Sequence, residues 1–421
     1  MDLKISPRKL NGKIAAITSK SDAHRCLICA ALCDEPTEVK ICDTNRDIEA
    51  TIECLEALGA KIIACENDIF KVEGIKIVPR AAKLNCCESG STLRFILPLA
   101  AHFDSDICLF GEGRLPQRPL SPLKEQLEAH GCKFSNDKLP FSVSGKIVPG
   151  KFELPGNVSS QYITGLLLAL PLLEGDSEIA LTSPLQSAGY VDMTIRTLSL
   201  FGIDIEIFPN GLGYKIKGKQ KYRSPKRITV EGDWSNAAFW LSAGAIGEQI
   251  QMSGLDFNSV QGDKMIAELL KSFGAAVTQS NDVCLVSPAD MRPIEIDAAL
   301  IPDLVPILSV AACKANGVTK IKNAERLRIK ESDRLKTVFE MITNLGGDIT
   351  ELSDGLIING TGSLKGGRVD SFNDHRIAMS AAIASIICER DVIITGAQAV
   401  EKSYPKFFED MAALGGVISV I

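Results

Sequence analysis

One pattern of apolar and polar positions recurs six times along the chain: an amphipathic run closes on a glycine and gives way to a β-type stretch. The runs read CLEALGAKI (54–62), QLEAHGCKF (126–134), TLSLFGIDI (197–205), LLKSFGAAV (269–277), MITNLGGDI (341–349) and DMAALGGVI (410–418). Their glycines, Gly59, Gly131, Gly202, Gly274, Gly346 and Gly415, stand 72, 71, 72, 72 and 69 residues apart. Glycine is a common stop signal just past a helix, because it takes the left-handed conformation without strain. Six of them at near-constant spacing mark an internal repeat.

A second element precedes each glycine by about 40 residues: 21–33, 90–101, 159–173, 233–246, 302–315 and 374–387. Ser, Asp or Gly stands at the opening of each, as at helix N-caps. Each then turns apolar with little polar face, which predicts a buried helix. A short strand separates the two helices, and a strand, a turn and a strand follow the glycine. The unit reads α-β-α-β-β, with a strand leading into the next. The sixth unit stops at Ile421 with one strand of its last hairpin, and residues 1–18 precede the first helix as an orphan segment. The simplest closure has the N-terminus completing the last unit. Three units per domain then predict two similar α/β domains, 14–230 and 1–13 plus 231–421, with crossings near 13–18 and 228–232.

Composition narrows the class. Of 421 residues, 45% are hydrophobic and 23% charged, as in an ordinary soluble protein. The formal charge is 46 − 52 = −6, which disfavours a nucleic-acid binder. Pro171 interrupts the longest apolar stretch, near 162–173, which falls short of the ~20 residues a bilayer span needs. The opening MDLKISPRKLNGK has no apolar core of a secretory signal. Thirteen cysteines without framework spacing fit a reducing cytoplasm, so a cytoplasmic protein with no membrane partner is expected.

The unusual polar residues gather at two equivalent points of each unit. At the start of the buried helix stand Lys20, Ser21 and Arg25; Glu88 to Thr92 with Arg94; Ser159, Ser160 and Gln161; Asp233 with Ser235; Asp303; and Asn373 to Arg376. In the loop before the amphipathic helix stand Asn45 and Arg46; Arg114 and Arg118; Ser187 with Tyr190; Lys330 to Arg334; and Lys402. Helix N-termini carry unpaired N–H groups and a partial positive charge, so they favour anions. Capping alone explains any one of these serines or aspartates. It does not explain the recurrence of Lys and Arg at equivalent places. With a net charge of −6 the cationic pocket is local, which suits a small phosphorylated substrate better than a polymer.

These residues resemble the enolpyruvyl transferase family, over essentially the whole chain. The resemblance is carried by Lys20-Ser21 with Arg25, ESGSTLR (88–94), RLPQRPL (114–120), SSQ (159–161), RIKESDRL (328–335), NDHRIAM (373–379) and EKSYP (401–405). It implies two domains, each of three βαβαββ units with buried helices about a pseudo-threefold axis (an inside-out α/β barrel), closing over a cleft. It implies transfer of the enolpyruvyl group of phosphoenolpyruvate to the 5-hydroxyl of shikimate 3-phosphate, with release of phosphate, in aromatic amino-acid synthesis. No metal or organic cofactor and no nucleic acid is expected, and a monomer is.

By the same resemblance, shikimate 3-phosphate is held by Lys20, Ser21, Arg25, Ser159, Ser160, Gln161, Ser187, Tyr190, Asp303 and Lys330. Phosphoenolpyruvate is held by Lys20, Gly90, Arg94, Arg118, Gln161, Arg334, Arg376 and Lys402. Asp303 is the proton acceptor, and Glu331, helped by Lys20, is the partner for proton transfer at C3. A carboxylate amid cations is held ionised, which suits a base better than an acid. The herbicide glyphosate is expected to compete with phosphoenolpyruvate. Two departures stand out. Many relatives have Asn-Ala-Gly-Thr where this chain has Glu88-Ser89-Gly90-Ser91, so Glu88 is expected to point away or to pair with an Arg. Many have Asn where Arg326 stands. The branch that uses UDP-N-acetylglucosamine carries a Cys on the second-repeat loop, and GEGRLPQRP has none. Cys26-x-x-Cys29, Trp234 and Trp240 read as packing residues.

Overall fold

The computed structural model describes Met1–Ile421 except Asp104. Helices alternate in type along the chain. They are α1 (Lys20–Ala31), α2 (Arg46–Ala57), α3 (Gly90–His102), α4 (Leu123–Ala129), α5 (Ser160–Ala169), α6 (Ala188–Leu200), α7 (Trp234–Ile246), α8 (Ile266–Phe273), α9 (Val305–Lys314), α10 (Arg334–Asn344), α11 (His375–Ala384) and α12 (Phe407–Ala413). The odd-numbered helices are buried almost throughout, whereas the even-numbered ones bury one face. All six repeat glycines sit at positive φ, from +74° at Gly202 to +109° at Gly274. The stop signal read from the sequence is therefore the conformation that ends each amphipathic helix.

The chain forms two compact units, a continuous one (Thr18–Val230) and a discontinuous one (Met1–Ile17 with Glu231–Ile421). Among the described residues each unit contains three separate four-stranded sheets, and no sheet closes into a barrel. Every sheet repeats one topology: a leading strand runs parallel to the strand after the buried helix, and two further strands add antiparallel, as a hairpin in five of the six sheets. Both units close on themselves. In the continuous unit, Arg227–Thr229 supplies the leading strand beside Thr37–Lys40. In the discontinuous unit, Leu3–Ser6 inserts between Val392–Thr395 and Val417–Val420, so the N-terminus completes the last repeat. Gly12–Ala15 pairs in parallel with Ile250–Ser253 and leads the fourth repeat. The first crossing thus falls after Ile17 rather than after residue 13, because this whole strand is held by the discontinuous unit.

The cores follow from the apolar helices. In the discontinuous unit α7, α9 and α11 pack against one another in all three pairs. In the continuous unit α3 and α5 are pressed closest. Gly165 allows this: a Cβ there would lie 2.1 Å from the Arg94 carbonyl oxygen. Trp234 and Trp240 are fully buried and donate to the Asp256 carbonyl at 3.0 Å and the Tyr404 hydroxyl at 3.2 Å, so both are packing residues. Cys26 and Cys29 lie wholly inside α1, and burial pushes both thiols up. Among the described residues no helix is long and apolar enough to cross a membrane.

Candidate active site

Five of the six buried helices begin with a capping side chain. Ser19, Ser89, Ser159, Asp233 and Asp374 each accept from a backbone N–H of the first turn. The exception is α9, where a 3-10 turn, Pro302–Leu304, precedes the helix and no side chain caps it. Asp303, read from the sequence as one more cap, is therefore available for other partners.

In the continuous unit, Lys20 at the start of α1 reaches Asp47 of α2 at 2.9 Å. Arg25, 1% exposed, donates through Nε to Thr194 at 2.8 Å and through Nη2 to the Tyr190 carbonyl at 2.8 Å and Thr164 at 3.4 Å. Its Nη1 donates to the Ser21 carbonyl. A guanidinium has five N–H donors, so Arg25 positions Ser21 and Tyr190 and keeps one donor for a ligand. Burial brings its pKa down to about 10, although Asp22 works against that.

The second helix start gathers more charge. Arg94 of α3 donates through Nη1 to Gln161 Oε1 at 2.9 Å and through Nη2 to the Pro119 carbonyl at 3.0 Å. Gln161 in turn donates to Ser91 at 3.0 Å, tying α5 to α3. Arg118 comes from the loop after the 3-10 turn Leu115–Gln117. Both guanidinium groups converge on Gly90: a Cβ there would lie 2.5 Å from Arg94 Nη1 and 2.6 Å from Arg118 Nη1. Two like charges meeting at a helix N-terminus form an anion cradle. Ser187, just before α6, is buried with φ +55° and gives no side-chain cap. Such strained backbone often marks functional positions.

The discontinuous unit assembles its cations around carboxylates. Arg334, 1% exposed, donates through Nη1 to Asp303 Oδ1 at 2.6 Å, through Nη2 to Glu331 at 2.7 Å and through Nε to Asp374 at 2.8 Å. Burial opposes its charge, but Asp374, Glu331 and Asp303 outweigh that and hold its pKa raised. Lys330 Nζ stands 3.6 Å from Asp303 Oδ1, and Arg376 Nε stands 3.5 Å from the same oxygen. Burial lowers the Lys330 pKa; Asp303 opposes the shift, while Arg334 and Arg326 add to it. Phe372 and Asn373 both take positive φ, and the Asn373 carbonyl accepts from Lys402 Nζ at 2.6 Å. Asp303, Lys330, Glu331, Arg334 and Arg376 are thus brought together as one cluster.

Reasoning from the sequence missed the partners. Asp47 and Asp374 hold Lys20 and Arg334, and nothing in their local sequence announces it. Asp263, buried beneath the cluster, was passed over altogether. Glu88 directs its carboxylate against Gly113, in the loop that carries Arg114: a Cβ on that glycine would lie 2.2 Å from Oε2.

The chain is similar to known proteins over its whole length. The family model described as EPSP synthase (3-phosphoshikimate 1-carboxyvinyltransferase) matches residues 5–411. A 3-phosphoshikimate 1-carboxyvinyltransferase of Clostridium novyi is 45% identical, over 99% of this chain and 98% of the relative. One of Clostridium acetobutylicum is also 45% identical, over 98% and 97%. The solved EPSP synthase of Acinetobacter baumannii superposes with a TM-score of 0.84 at 26% identity, covering all of both chains. The enolpyruvyl transferase NikO of Streptomyces tendae, at 18% identity and a TM-score of 0.80, shares the fold.

Proposed function

The chain belongs to the EPSP synthase family, and from that premise we propose which of its residues carry the chemistry. It transfers the enolpyruvyl group of phosphoenolpyruvate to the 5-hydroxyl of shikimate 3-phosphate and releases phosphate. In our reading phosphoenolpyruvate lies against Arg94, Arg118 and Gly90, with Arg334, Arg376 and Lys402 as further counter-charges. Shikimate 3-phosphate takes Ser21, Arg25, Ser159, Ser160, Ser187, Tyr190, Asp303 and Lys330. Lys20 and Gln161 serve both. The observation that carries the assignment is the convergence of two guanidinium groups over Gly90. A carboxylate or phosphate accepting from both is bound in a fixed orientation, because each fork donates in a plane.

Asp303 takes the proton of the 5-hydroxyl. What supports this is its position: its carboxylate is bridged to Arg334, with Lys330 and Arg376 near the same oxygen. The hydroxyl oxygen attacks C2 of the enol while C3 takes a proton; C3 then gives a proton back as the C2–O bond to phosphate breaks, which restores the double bond and releases phosphate, and the proton on Asp303 leaves with phosphate or to water. Glu331, held by Arg334 at 2.7 Å, with Lys20 as helper, is the partner for that proton. The same reading makes the protein cytoplasmic, supported by thirteen cysteines that are all free thiols, and expects a monomer. The test is phosphate release without added metal. Release should require phosphoenolpyruvate and shikimate 3-phosphate together. Turnover with a UDP-sugar acceptor, and none with shikimate 3-phosphate, refutes the assignment.

A further inference from the structure

Beneath the discontinuous cluster lies a carboxyl group that the mechanism above leaves idle. Asp263 sits in a short 3-10 turn, Gly262–Met265, and is 3% exposed. Its turn is clamped to the start of α7 by the amide of Gln261, which accepts from Trp234 N at 3.1 Å and donates to the Gly232 carbonyl at 2.8 Å. On the other side the turn meets the strand-to-helix loop that carries Asp303: a Cβ on Gly262 would lie 3.1 Å from the Leu300 carbonyl. One carboxylate oxygen, Oδ2, accepts from the Ser235 hydroxyl of α7. The other, Oδ1, is buried and has no hydrogen-bond partner among the described residues. A buried carboxylate with one oxygen unsatisfied is costly, and proteins seldom keep one without a use.

The charged groups facing it come from three elements. Asp303 stands on the turn before α9, Arg376 on α11 and Asp233 at the cap of α7. Burial, then the negative charge of Asp303, pushes the Asp263 carboxyl up to about 7; Arg376 and the Ser235 hydrogen bond pull the other way, and Asp233 adds a smaller push. Arg376 Nε also stands 3.5 Å from Asp303 Oδ1, so one guanidinium faces both acids.

We propose that Asp263 is a positioning residue for Asp303, its buried carboxyl setting how readily Asp303 accepts the substrate's hydroxyl proton. The inference rests on Asp303 being that acceptor. Two neighbouring carboxylates oppose each other when both are ionised. An ionised Asp263 therefore favours the state in which Asp303 carries a proton. The step balances simply: the substrate O–H bond breaks, an O–H bond forms on Asp303, and the electron pair stays on the attacking oxygen. When Asp263 is itself protonated the push is lost, and Asp303 is a weaker base.

The test is the pH profile of the full enzyme and its Asp263→Asn, Ser235→Ala and Asp303→Asn variants. In the wild type, kcat should rise with pH through a midpoint near 7. Asp263→Asn should flatten that rise, lowering kcat about tenfold on the alkaline side, as for one unit of proton affinity. It should leave kcat on the acid side and both KM values nearly unchanged. Ser235→Ala removes a hydrogen bond that favours the anion, so it should move the same rise to higher pH and gives a second reading should Asp263→Asn fold poorly. An Asp263→Asn profile parallel to wild type, or a change confined to KM, overturns the proposal. An active Asp303→Asn enzyme instead overturns the assignment of the base, which separates the two failures.

Discussion

Arg94 and Arg334 are both buried arginines in the N-terminal halves of repeat helices, but their charges are met in opposite ways. In the continuous unit Arg94 donates to an amide oxygen and a carbonyl, and Arg25 to hydroxyls and carbonyls. In the discontinuous unit Arg334 is met by three carboxylates, Asp303, Glu331 and Asp374. Neutral acceptors orient a guanidinium without cancelling its field, so the first arrangement keeps a strong pull on an anion. Carboxylates cancel the field and leave acids and bases in place of net charge. One repeat scaffold thus yields arginines met by neutral acceptors in one unit and an arginine met by carboxylates in the other, by the choice of partners alone.

The largest effect that tests this contrast is on stability. Arg334→Ala strands three carboxylates in or near the core and should cost about 3–5 kcal/mol, as when one member of a buried ionic cluster is removed. Arg94→Ala leaves the Gln161 amide oxygen and the Pro119 carbonyl unmet and should cost about 1–3 kcal/mol. Denaturant unfolding of both variants measures the difference; equal losses would break the comparison.

Ligand binding comes next. Lys330→Ala should weaken shikimate 3-phosphate, and Arg118→Ala phosphoenolpyruvate, each by ten- to a hundred-fold, from loss of a charged hydrogen bond of roughly 1.5–3 kcal/mol. Calorimetric titration of each variant with each ligand decides it, and a swapped pattern reverses the assignment.

Asp263 sharpens the carboxylate-rich side of the comparison through stability alone. Its folded pKa, about 7, lies above the ordinary carboxyl value of 3.8. The native state thus binds more protons than the unfolded chain between those values, and stability falls as pH rises through that window. Asp263→Asn removes the loss. The variant should be more stable than wild type above pH 7 by on the order of 1–3 kcal/mol, the usual penalty of an unmet buried charge, and the gap should close below pH 4. Unfolding curves across pH check the sign.

The smallest change is Gly90→Ala. At the first position of α3 an alanine favours the helix by roughly 0.5–1 kcal/mol, so the fold should tolerate it. The new Cβ displaces the tips of Arg94 and Arg118. The KM for phosphoenolpyruvate should rise roughly three- to tenfold, about 0.7–1.4 kcal/mol, and inhibition by glyphosate should weaken. Unchanged values for both would mean the cradle is elsewhere.

The repeat was legible in the sequence because its signals are local. Apolar continuity, a capping Ser or Asp and a closing glycine act within a few residues, so the helices and the completion of the last sheet by the N-terminus could be read from them. The chemical residues were legible as types, because Lys and Arg recur where helix N-termini need counter-charges and in motifs that the family shares. Partnership was decided only in three dimensions. Arg334 meets Asp303 across 31 residues and Asp374 across 40, separations at which no periodicity operates. Asp303 reads as a cap and is none, since a 3-10 turn takes the first residues of its helix. Asp263 carries no signal in the sequence and becomes a buried acid because α7, α11 and the Asp303 turn close around it. Charge compensation depends on distance in space, and the sequence by itself specifies that distance only within a turn of helix or a hairpin.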